Sequence, residues 1–201
     1  MNAAIRIAAV VVGLVFLTLV VAGLADSHDN TDQTVRADRW ADDVCGTVAA
    51  WEGQLEAIGD DVAESNVGAR EHDGGSGDEV EATAFVRTAV DRSIDATQDT
   101  LQEGLKRAGI PDTAQGAQAS LALRQWAQQT EDDLNRVQNA FEDGADAPAS
   151  SFALLAAAVA SLERSLVQGR ATVAQIGAAD PELADALTGS RTCQRLVEDQ
   201  P

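Results

Sequence analysis

Two cysteines, two histidines and an acidic tract around a glycine run are the residues whose type and spacing raise a question of chemistry in this 201-residue chain. Cys45 and Cys193 stand far apart, and neither belongs to a CxxC pair or to a set of four zinc ligands. Thiol redox catalysis and structural zinc therefore have no basis. What remains for two cysteines in an exported chain is one disulfide, with two free structural thiols as the alternative. A bond closing almost the whole domain would contribute on the order of 4 to 5 kcal/mol through loop-closure entropy.

The histidines, His28 and His72, fall outside every helical pattern. A di-iron bundle needs Glu-x-x-His pairs on core-facing helical positions, and none occur. The chain also lacks a phosphate loop, HExxH and GxSxG. A Ser-His-acid enzyme would have to borrow His72 from a loop. The remaining polar cluster is Glu71, His72, Asp73, Asp78 and Glu79 around GGSG. Its oxygen ligands suit a hard cation such as calcium. Its spacing misses the GGxGxD repeat by one residue and lacks the EF-hand order of acids, so a solvated acidic linker is the simpler reading. The acid pairs Asp42–Asp43, Asp60–Asp61 and Glu131 with Asp132 and Asp133 are adjacent on helices and point in different directions, as a solvated face does. The expectation is a non-enzymatic protein with no catalytic residue and no cofactor.

Charge narrows the partners. The formal net charge is −19, and Arg6 is the only charged side chain before Asp26, so all 33 carboxylates lie in the remainder. Phosphate neutralisation needs the opposite sign, which argues against nucleic acid. The simplest role for the acidity is to keep an exposed domain soluble.

The elements that must position these residues follow from periodicity. Ile7 to Ala25 carries no charge, with Arg6 before it and acidic DSHDNTD after it. Residues 1–25 thus read as a signal anchor crossing the membrane with everything after it exported. Cleavage near Ala25, where Gly23 and Ala25 are small, is the alternative and would give a secreted protein. Residues 26–33 form a polar acidic tether, and 34–199 form the domain.

The first helix covers Arg39 to Val62, with Trp40, Val44, Val48, Trp51, Leu55, Ile58 and Val62 at steps of three and four. Cys45 stands at the edge of this stripe, and Thr34 or Thr31 is a candidate cap. A mobile Gly-rich acidic loop is expected at 63–78. The second helix spans about Asp78 to Ala108 with Val86, Val90, Ile94, Thr97, Leu101 and Leu105 on its stripe. Gly109, Ile110 and Pro111 then supply a stop. The third starts from a cap at Asp112 or Thr113 and runs to about Glu142 through Leu123, Trp126, Thr130, Leu134, Val137 and Phe141. The fourth covers about Ala149 to Ile176, where Phe152, Leu155, Val159, Leu162, Leu166, Val173 and Ile176 follow heptad-like spacing. Asp180, Pro181 and Glu182 read as a cap, a first-turn proline and a first-turn acid opening a short fifth helix, which Gly189 is placed to break.

Few strand formers and four long segments predict an all-α, antiparallel up-down-up-down four-helix bundle with a short C-terminal helix. In that topology the fourth helix returns to the end where the first began. Cys45 and Cys193 then meet at one end. The three tryptophans are expected in the core, with Trp40 also placed to meet a bilayer surface or a partner.

With its hydrophobic N-terminus, the tract WADDVCGTVAAWEGQL, Ala- and Asp-rich helices and a terminal TCQRL, the chain resembles a loose group of uncharacterised exported, disulfide-containing helical proteins of high-GC Gram-positive bacteria. The resemblance implies no activity. The functional expectation is a binding module of the cell envelope whose partner is an envelope protein, with a small-ligand or cation carrier as the alternative.

Overall fold

The computed structural model describes residues 34–70, 76–144 and 148–198, and among these the chain is all-α. Helix α1 spans Ala37–Arg70. Helix α2, Ser76–Asp95, passes without a break into a π-helical stretch, Ala96–Gln102, and then into α3, Glu103–Ala108. Helices α4 (Gly116–Gly144) and α5 (Pro148–Ala179) follow, and the short α6 (Pro181–Gly189) and α7 (Arg191–Glu198) finish the domain. Residues 1–33, and with them the expected membrane segment and tether, lie outside the described residues. No described helix is long and apolar enough to cross a membrane.

Several start and stop signals act as the sequence predicts. Gly109 closes α3 with a positive φ of 75°, a conformation open to glycine. Asp180 caps α6 by accepting from the N–H groups of Glu182 (3.0 Å) and Leu183 (3.4 Å), with Pro181 in the first turn. Gly189 ends α6, and Ser190 separates it from α7.

Other boundaries differ. Helix α1 continues to Arg70, and α2 already begins at Ser76, so most of the loop expected at 63–78 is helical. The tract AESNVGAR contains no proline, and its alanines and charged residues sustain a helix already nucleated by twenty-six residues of α1. Thr34 does not cap α1. It belongs to a two-residue strand β1 (Thr34–Val35) that pairs in parallel with β2 (Ile110–Pro111), Thr34 opposite Ile110 and Val35 opposite Pro111. The Asp112 N–H extends this tie by donating to the Val35 carbonyl at 2.7 Å. Asp112 and Thr113 are therefore engaged in the turn, and α4 starts later, at Gly116. That glycine is required, because a Cβ there would stand 1.9 Å from the Pro111 carbonyl oxygen.

Contacts between successive helices run in opposite residue order. Between α1 and the α2–α3 segment they join Asp61 to Arg92 (2.6 Å), Gln54 to Thr100 (2.9 Å) and Thr47 to Gly104. Between that segment and α4, Gln138 donates to Asp91 at 2.7 Å, and Gln98 and Gln102 both donate to Glu131.

The core forms around two perpendicular tryptophans. Trp51 and Trp126 meet edge to face at a centroid distance of 5.8 Å and an interplanar angle of 89°. Each indole N–H has a partner. Trp51 donates to the Thr97 hydroxyl at 3.1 Å, which donates in turn to the Ser93 carbonyl at 2.8 Å, and Trp126 donates to the Ser165 carbonyl at 2.8 Å. The π-helical register begins in that same turn, where Ser93 and Thr97 both bond back to carbonyls four residues earlier. Trp40 is also buried, so it is a core residue and meets no bilayer through its ring.

Helix α5 packs differently from its leucine stripe. Among its residues of described burial, Ala158, Ser161, Ser165, Gly169 and Ile176 are buried, while Leu162, Leu166 and Val173 are half-buried and Val159 is 48% exposed. Small residues at steps of three and four let α5 approach α4 closely enough for Trp126 to lie over Gly169. A heptad pattern reports where leucines lie and is blind to the closeness that Ser and Gly permit. The leucine stripe is therefore turned aside, toward α1.

Cys45 and Cys193 form a disulfide with a Cα–Cα distance of 5.1 Å across 148 residues. Ser190 beside it donates to Asp42 and accepts from the Cys193 N–H, joining α7 to α1. Non-reducing electrophoresis should show a compact monomer whose shift on reduction is lost in Cys45→Ser. That variant should be less stable by up to about 5 kcal/mol, measured by chemical denaturation. Two thiols alkylated without reductant would contradict it. Gly169→Ala tests the packing of α5: its Cβ would fall 2.4 Å from Trp126, and a loss of about 1–3 kcal/mol is expected.

Candidate functional site

Several of the polar residues singled out by sequence are structural. The disulfide is buried, with Cys45 4% and Cys193 8% exposed. Asp61 pairs with Arg92, Asp42 accepts from Ser190, and Glu131 accepts from two glutamines. Of the candidate cation ligands, Glu71, His72 and Asp73 lie outside the described residues. Asp78 and Glu79 sit in the first turns of α2, on a helix and not in the flexible loop that a glycine-rich cation site requires. Among the described residues no group of three or more His, Cys, Asp or Glu side chains is arranged to hold a metal ion.

The most built polar centre is Asp180, which is 5% exposed. Its carboxylate caps α6 and also accepts from the Gln115 N–H at 3.2 Å, tying the α3–α4 turn to the α5–α6 turn. Its pKa is held below the ordinary aspartate value, first by the adjacent Thr113 hydroxyl, which has no well-formed hydrogen bond, and then by backbone N–H groups. All of its partners are the protein's own, and they make it a clamp.

The feature that sequence reasoning missed is a groove of about 500 Å³ between α1 and α5. Leu55, Ile58 and Val62 of α1 form one wall and Val159, Leu162 and Leu166 of α5 the other. Val90 of α2, Leu134 of α4 and Ala158 of α5 form the buried floor. The cause is a shortage of volume. Gly59 of α1 and Ala158 of α5 stand on the groove among the larger apolar residues of the two walls and add little or no side chain to fill it. Gly59 has no neighbouring atom within 4 Å of where a Cβ would stand. The second core cluster, Val86, Val90, Ile94, Leu134, Val137, Phe141 and Ala158, draws on α2, α4 and α5 without α1.

Comparison with protein-family models, with curated proteins and with solved structures finds no match to this chain. Its chemistry is therefore read from the groove itself.

Charged side chains rim that groove: Glu52 and Glu56 from α1, Glu163 and Arg170 from α5. Glu52 is the most enclosed of the four. Burial raises its pKa above the ordinary glutamate value, and the charge of Arg170 opposes that shift without cancelling it. No nucleophile–base pair accompanies these groups on the groove wall, whose Ser93 hydroxyl donates to the Ala89 carbonyl. The arrangement can hold an apolar body and present charge to its end.

Because the folded pKa of Glu52 exceeds the unfolded one, stability falls as pH rises from the ordinary glutamate range through the raised value. The full cost is present above that window. Glu52→Gln should therefore melt about 1–3 °C higher than the native chain at pH 7 and together with it at pH 3.5. A lower melting temperature at pH 7 would show that the attraction of Arg170 outweighs burial.

Proposed function

We propose that this chain is a non-enzymatic binding protein of the cell envelope, an antiparallel up-down-up-down four-helix bundle that takes a small apolar ligand into the groove between α1 and α5. The groove carries the reading: its volume lies in the range of small-molecule sites, and its walls and floor are apolar with a few charged groups at the mouth. The opposite residue order of successive helix contacts supports the bundle topology. Membrane anchoring by Ile7–Ala25, with the domain outside the cytoplasm, is supported by the uncharged run in the sequence and by the disulfide, which suits an oxidising compartment. Secretion after cleavage near Ala25 leaves the same binding domain. The resemblance to exported helical proteins of high-GC Gram-positive bacteria points to the same compartment.

An envelope protein as partner is the second reading, favoured by Val159 and Val167 on α5, which are 48% and 64% exposed. A protein laid along α5 would cover both.

Photolabelling separates the two. Full-length protein in lipid nanodiscs is irradiated with an uncharged alkyl diazirine, and the labelled peptides are mapped. Label concentrated on residues 52–62 and 158–170, and lost in Gly59→Phe, is the expected result. Gly59 is chosen because the space beside it is open. Label spread evenly along the chain would refute the ligand site. A protein crosslinked at Val159 and Val167 that survives Gly59→Phe would establish the partner reading in its place.

A further inference from the structure

The rim of the groove carries more information than its walls. Three carboxylates, Glu52, Glu56 and Glu163, and one guanidinium, Arg170, line the groove of a chain of net charge −19. An anionic ligand would enter against this field, and a cationic one with it. Glu52 matters most, because it leaves water as it lines the wall and Arg170 offsets that burial only in part. A cation arriving at the mouth would supply what Arg170 does not. Size limits the rest of the ligand. The lining runs over residues 52–62 of α1 and 158–170 of α5, a length of about 15–18 Å at the rise of a helix. A slender alkyl chain suits a groove of about 500 Å³ over that length. A second copy of this chain would bring its own carboxylates to the same rim.

We propose that the groove selects a single-chain amphiphile with a cationic head group, its alkyl chain laid between α1 and α5 and its head received by Glu52 with Glu56 and Glu163. This assignment rests on the groove being a ligand site, as argued above, and adds the chemical class of the ligand. Arg170 acts as the internal competitor of the ligand's head, offsetting part of the burial of Glu52 when the groove is empty.

The test uses three photoactivatable probes of one chain length, with ammonium, hydroxyl and carboxylate heads, on the full-length protein in nanodiscs. Groove labelling is normalised to labelling of the lipid, which removes differences in bilayer partition. The ammonium probe should label residues 52–62 and 158–170 about fivefold more than the hydroxyl probe, the weight of one partly exposed ion pair, and the carboxylate probe should label least. Glu52→Gln should narrow the difference between heads, and a difference left at its full size would count against Glu52 as the receiver. Equal labelling by all three heads, or preference for the carboxylate, would overturn head-group selection while the apolar site stands. Absence of groove labelling with every probe would overturn both readings. Chain-to-chain crosslinks through the groove would show a second copy as its occupant and also overturn the assignment.

Discussion

The contact between Trp51 and Trp126 is the constraint on which the domain depends. Two large rings set at right angles need space from four directions at once. They obtain it because Thr97 in the π-helical stretch and the Ser165 carbonyl on α5 satisfy the indole N–H groups, and because Gly169 withdraws a side chain from beneath Trp126. Leaving either indole N–H buried without a partner would cost about 1–3 kcal/mol, so each ring sets the position of a second element as well as its own. One pair thereby spaces α1, the α2–α3 segment, α4 and α5. Beyond Trp51, no residue of comparable size continues the contact along α1, and the groove begins where the tryptophan ends.

How much of this was legible in sequence depends on whether the signal was local. Asp180, Pro181 and Glu182 mark a helix start because the cap is made with the next two backbone N–H groups, and the structure shows that cap. Gly109 likewise marks a stop through its own φ. The pairing of Cys45 with Cys193 followed from chain direction and an even count of thiols. The β1–β2 tie was invisible, because a strand of two residues has no period to detect. The extension of α1 to Arg70 was missed because glycine, serine and asparagine are loop-like one by one, whereas a helix already formed continues across them at low cost.

The groove was illegible for a related reason. Hydrophobic periodicity identified Leu55, Ile58, Val62, Leu162 and Leu166, the residues that line it, and placed them on the apolar stripes of their helices. Period says which side of a helix is apolar, and volume says whether two such sides touch. Here the small residues of α5 face α4, and the leucines are left half-buried against a thin stretch of α1. A domain that spends its closest packing on one pair of helices has less to fill the opposite seam. The proposed binding role belongs to that asymmetry and needs no dedicated motif.

The disulfide also has a mechanical meaning. Cys45 lies near the start of the described domain and Cys193 near its end. Tension applied between the two ends of the domain would pass from residues 34–45 through the sulfur–sulfur bond to residues 193–198. Residues 46–192, which hold the tryptophan pair and the groove, would then lie outside the covalent path of the load. Once the short β1–β2 tie has yielded, the sulfur–sulfur bond carries the pull past the groove.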